Sequence, residues 1–172
     1  WVMFGLALVA APLMASETPR DPLTHFFDQG FHNLPDEVAA ARQEGKVAIF
    51  VMFETDDCPW CDKMMKTVLS LPSVQDHYRK SFRAMQVDMN GDAPITDFDG
   101  KEMRQREFGL KHNPKGGTPV FVFFGLDGKV LAKHPGTATP EEFLWFADFI
   151  TSGRWQTGNF VVYKRERRAA GR

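Results

Sequence analysis

Residues 47–61 read VAIFVMFETDDCPWC. The first seven are apolar without interruption and rich in β-branched and aromatic side chains. That length and composition predict a strand buried on both faces, as in a parallel or mixed α/β sheet. Glu54-Thr55-Asp56-Asp57 is a polar turn, and a helix over 59–69 follows. Within that helix Cys61, Met64, Met65, Val68 and Leu69 recur at the spacing of one helical face. Cys58 therefore stands where a buried strand hands over to a helix. There unpaired backbone N–H groups and the positive end of the helix dipole stabilise a thiolate, the attacking species in disulfide exchange. Cys61 falls one turn later on the apolar stripe, so Cys58 is the expected nucleophile and Cys61 the resolving thiol. Pro59 suits the first turn, where its missing N–H costs nothing. Trp60 is expected to face outward beside the sulfurs.

The rest of the chain supports an α/β reading. A helix is expected over 35–44, opened by Pro35 and closed by Gly45, and another over 73–80 after Pro72 stops its predecessor. A strand is expected over 82–88, then a loop over 89–100 rich in Asn, Asp and Gly. A helix over 101–108 is expected to end at Gly109. Residues 119–124 read as a strong strand and 129–133 as its hairpin partner across the Asp127-Gly128 turn. The last helix opens at Thr139, which is spaced from Glu142 as a capping box, and buries Phe143, Phe146, Ala147 and Ile150. Phe26, Phe27 and Phe31 are expected to dock a lead-in segment on the core. The basic stretch 164–172 reads as a frayed tail. Strands alternating with helices imply a central mixed sheet flanked by helices.

Composition narrows the function. The 172 residues point to one domain, and 43% hydrophobic with 25% charged residues is globular. Lys and Arg total 21 against 22 for Asp and Glu, a balance that points to no polyanionic partner such as nucleic acid. The two cysteines close too small a loop to stabilise the fold much, which favours chemistry over stapling. A zinc site would need two further ligands, yet the five histidines are scattered; a metal-binding or inert pair is the weaker reading. Residues 1–15 are almost wholly apolar and end at Ala15-Ser16. They read as the hydrophobic region and cleavage site of a secretory signal, against an uncleaved anchor or a buried segment. A signal implies a periplasmic or otherwise exported protein in an oxidising compartment. The expected organisation is signal 1–15, lead-in 16–34, domain 35–152 and a C-terminal extension 153–172 with its basic tail.

Three elements together resemble the thioredoxin superfamily over about 35–152: the apolar strand, Cys58-Pro59-Trp60-Cys61, and Gly117-Thr118-Pro119 before the strand 120–124. The resemblance implies a thioredoxin-like fold, a cis Pro119 packed against the cysteines, and Thr118 backbone groups offered to an extended client peptide, with Trp60 and Pro59 beside them. The plainer reading of Pro119 is a strand-start proline. The stretch 53–64 and the Asn/Asp-rich loop are similar to SoxW-like periplasmic thioredoxins, associated with sulfur oxidation. Pro-Trp between the cysteines departs from the family's Gly-Pro, and Met52 stands where the family has a buried Asp. Glu54 is the nearest candidate proton acceptor, with a solvated turn carboxylate as its plain alternative.

The function implied is thiol:disulfide exchange on client proteins, by a monomer with no cofactor beyond the cysteine pair, reset by an upstream thiol reductant such as a membrane electron carrier. Asp56 and Asp57 oppose the thiolate at Cys58 and favour a reducing or intermediate poise, with a helix-capping Asp as the plain alternative. An oxidase acting in the opposite direction, or a docking module without turnover, are the alternatives.

Overall fold

The computed structural model describes residues 17–30 and 32–171. The expected signal over 1–15 and the expected role of Phe31 lie outside the described residues.

Four strands form the main sheet, in the order β2-β1-β5-β6. β1 (Ala48–Glu54) and β2 (Phe82–Asp88) are parallel. β5 (Val120–Gly125) runs antiparallel to β1 and to β6 (Val130–Pro135). The sheet is mixed and flanked by helices. All but the last residue of β1 are buried, because helices cover both faces of this central strand.

On one face lie α3 (Pro59–Met64), α4 (Pro72–Ser81), α6 (Pro140–Thr151) and α7 (Phe160–Ala170), packed with Phe50, Met52, Phe121 and Phe123. On the other, α2 (Leu34–Gln43) and α5 (Gln105–His112) supply Leu34, Val38, Ala41 and Phe108 to Ile49, Val51, Phe53, Val122 and Phe124. The period of two in a strand sends alternate residues of β1 and β5 to these two cores.

The lead-in begins with the short α1 (Pro22–His25) and buries Phe26 completely against Phe27, Phe50, Tyr78 and Phe143. It then runs along the β2 edge. Asp28 N–H donates to the Ala84 carbonyl and the Asp28 carboxylate accepts from Ala84 N–H, both at 2.7 Å. His32 Nε2 lies 2.9 Å from the Gln86 carbonyl oxygen. The edge is thus occupied by the backbone and side chains of the lead-in instead of another strand.

Four local expectations are corrected. The helix over 59–69 is α-helical only to Met64 and continues as a π turn over Met65–Leu69. Thr67 Oγ1 and Ser70 Oγ donate to the Lys63 and Lys66 carbonyls, each at 2.8 Å, and compete with the regular helical ladder. The loop 89–100 contains β3 (Pro94–Thr96), which pairs with β4 (Glu102–Arg104) across a turn at Gly100, where φ is +82°. These strands are too short for alternation to reveal them.

The helix expected over 101–108 accordingly starts at Gln105 and passes through Gly109 to His112. A Cβ at Gly109 would come within 2.6 Å of Met89 Sδ, so glycine here allows close packing rather than ending the helix. Finally, the basic tail is not frayed. Asn159 Oδ1 caps α7 by accepting from Val162 N–H, Phe160 and Tyr163 are buried, and Lys164, Arg167 and Arg168 pair with Glu142 and Asp148 of α6.

Candidate functional site

Cys58 and Cys61 are joined as a disulfide at the start of α3, directly beyond the C-terminal end of β1. Cys58 is the N-cap residue, and its Sγ accepts from Cys61 N–H at 3.0 Å. The polar turn before it has extended backbone at Cys58 and then Pro59 at the first helical position. Both residues are largely shielded, Cys58 at 7% and Cys61 at 4% exposure, with Met52 fully buried in the same cluster. Cys61 is thus only slightly the more buried.

Trp60 is 57% exposed, and Lys63 Nζ lies 5.4 Å from the centre of its ring. Asp56, Asp57, Cys58, Pro59 and Asp62 line a shallow surface depression at Cys58. The rim is acidic, relieved by Lys63 and by Lys66, which meets Asp62 at 3.3 Å. Both members of that pair are exposed, so it contributes little to stability.

The Thr118–Pro119 peptide bond is cis, and it introduces β5 next to β1. Thr118 Oγ1 lies 3.4 Å from Thr55 Oγ1, which ties this loop to the turn that precedes Cys58. The loop is anchored from behind by Asn113 at the C-terminus of α5, whose Nδ2 donates to the Gly117 carbonyl at 2.7 Å.

Glu54 sits apart from the depression. It ends β1 opposite Asp88 of β2, and with Asp28, His32, Gln86, Asp88 and Gln105 it lines a cavity at the β2 edge. Burial first, and then the Asp88 and Asp56 carboxylates, raise its carboxyl above the ordinary value.

The structure therefore brings Cys58, Cys61, Pro59, Trp60, Thr118 and Pro119 to one end of the sheet, with Glu54 behind. Thr55 and Asn113 are the residues that sequence reasoning missed. The Asn113-Pro114 pair ahead of Gly116-Gly117 was a readable turn signal. Thr55 carried none, because its partner is distant in sequence.

The sequence profile described as a thioredoxin-like domain matches residues 34–151. No curated protein matches the chain. Among solved structures, a thioredoxin-fold protein from Helicobacter pylori is 18% identical with a TM-score of 0.63, over 86% of this chain and 90% of that one. A thioredoxin from Thermus thermophilus is 25% identical with a TM-score of 0.53, over 68% and 82%. The C-terminal domain of DsbD from Neisseria meningitidis in its reduced form is 17% identical with a TM-score of 0.50, over 66% and 90%. These neighbours share the fold, the profile spans most of the chain, and the chain belongs to the thioredoxin-like domain family.

Proposed function

We propose that this chain is an exported thiol:disulfide oxidoreductase that reduces disulfides of client proteins. The observation that carries the reading is the Cys58–Cys61 disulfide at the start of α3, with Cys58 lining a surface depression and the cis Thr118–Pro119 bond at the same end of the sheet.

In the reduced protein Cys58 is the thiolate, supported by Cys61 N–H and the helix start. It attacks one sulfur of a client disulfide. The client S–S bond breaks, a Cys58–client bond forms, and the released client sulfur takes a proton. Cys61 then loses its proton, with Glu54 as the proposed acceptor, and attacks Cys58 Sγ. The mixed disulfide breaks, the second client thiol leaves, and Cys58–Cys61 re-forms. Two electrons pass to the client. An upstream dithiol, such as a membrane electron carrier, returns two electrons and two protons.

Trp60, Pro59 and the Thr118 backbone form the client-docking surface. Asp56 and Asp57 disfavour negative charge at Cys58 and bias the pair toward a reducing or intermediate poise. The protein acts as a monomer.

Insulin reduction by the purified chain, with a small dithiol as electron source, tests the reading. The wild type accelerates precipitation of the insulin chains, Cys58→Ser abolishes it, and Cys61→Ser accumulates mixed disulfides with clients. A background rate, with client binding kept in Cys58→Ser, would instead mark a docking module. A redox equilibrium as oxidising as the strongest known dithiol oxidants would reverse the direction.

A further inference from the structure

We propose that Asn113 is a positioning residue for client binding: it fixes the direction in which the Thr118 backbone N–H is offered to an extended client. The inference rests on the exchange reaction just described and assigns part of its specificity to a residue outside the cysteine motif.

The loop 114–117 has little else to hold it. All four residues are exposed, and neither Gly116 nor Gly117 has anything within 4 Å of where a Cβ would stand. Asn113 itself is 7% exposed and clamps the loop twice. Its carbonyl accepts from Gly116 N–H at 3.0 Å, closing a turn, and its Nδ2 donates to the Gly117 carbonyl at 2.7 Å. Asn113 N–H in turn donates to the Gly109 carbonyl at 2.7 Å, so the clamp is a continuation of α5.

The Gly117 carbonyl and the Thr118 N–H belong to one peptide unit. That unit is planar, and the cis bond here is the next one, between Thr118 and Pro119. In a trans peptide the two groups point in opposite directions. Holding the carbonyl toward buried Asn113 therefore turns the Thr118 N–H away from the core, on the loop whose side chain meets Thr55. Without the clamp the peptide can rotate, since glycine on its N-terminal side opposes rotation least.

Asparagine suits the task because it is short, neutral and a donor. Alanine supplies no donor. An ionised aspartate presents a second acceptor to the carbonyl.

The test compares two probes on the reduced chain. Insulin docks through its backbone, whereas bis(2-hydroxyethyl) disulfide has no backbone to dock. Asn113→Ala is expected to lower kcat/KM for insulin roughly five- to tenfold, the value of one hydrogen bond, mainly through KM. The rate with the small disulfide is expected to stay unchanged. Should Asn113→Ala fail to fold, the near-isosteric Asn113→Asp carries the same comparison. Equal losses on both probes would mean a general structural role and overturn the inference, as would no loss on either. A wild type that reduces the small disulfide but not insulin overturns it too, while leaving thiol exchange standing. A wild type inert to both overturns the proposed function itself.

Discussion

Glu54 carries charge where the fold disfavours it. Burial raises its carboxyl, and Asp88 and Asp56 add repulsion. A carboxyl whose folded value lies above its unfolded one binds protons more readily when folded. Its favourable contribution is complete below the unfolded value of about 4.3 and is lost as pH rises through the folded value. Glu54→Gln is therefore expected to raise the melting temperature at neutral pH, with the gain shrinking to nothing in acid. If Glu54 takes the Cys61 proton, the same variant slows resolution of the mixed disulfide. Melting curves across pH, paired with single-turnover kinetics, check both; a lower melting temperature at neutral pH would contradict the charge argument. The cysteines were legible because their meaning lies in short-range spacing after a buried strand, and the cis Pro119 through the family resemblance that Gly117-Thr118-Pro119 carries. Thr55 and the cavity around Glu54 were not, because they are made by the approach of segments distant along the chain.

At the scale of elements, α7 departs most from the sequence reading. Its basic residues resemble a solvated tail until α6 supplies Glu142 and Asp148 as partners. α7 also helps to half-bury a histidine. His134 on β6 lies among the rings of Phe121, Phe146 and Phe160, and its Nε2 has no hydrogen-bond partner among the described residues. Burial, then Lys164 of α7, lower the His134 imidazole; a backbone bond at Thr137 and Glu142 of α6 act the other way. His112 is lowered as well, first by burial. A lowered imidazole contributes stability that is present above the unfolded value of about 6.5 and is lost as pH falls through the folded value. The urea midpoint is thus expected to drop between about pH 7.5 and about pH 5. His134→Phe should flatten part of that slope, leaving the His112 share. A slope unchanged in His134→Phe would remove His134 from the account. The long elements were legible from periodicity: β1, β2 and α6 lie within a residue or two of their expected bounds. The π turn and the three-residue strands β3 and β4 were hidden, since hydroxyl back-bonding and a tight turn override patterns that need several residues to show.

Across the whole molecule the core on the cysteine face is aromatic. Phe50 of β1 meets Phe26, Tyr78, Phe121, Phe123 and Phe143, all at centroid distances between 5.2 and 5.9 Å. One of those rings, Phe26, comes from the lead-in, ahead of the stretch 34–151 that defines the family. The consequence is practical. A fragment cut at residue 34 would look complete by homology, yet it would lack a plug from its interior and a seal along β2. A void the size of a phenylalanine side chain costs about 3–5 kcal/mol, and a bare strand edge recruits other chains. Such a fragment is expected to go into inclusion bodies or to elute as soluble aggregates. The same boundary moved back to residue 17 should restore a well-behaved preparation, and size-exclusion chromatography of the two would tell them apart.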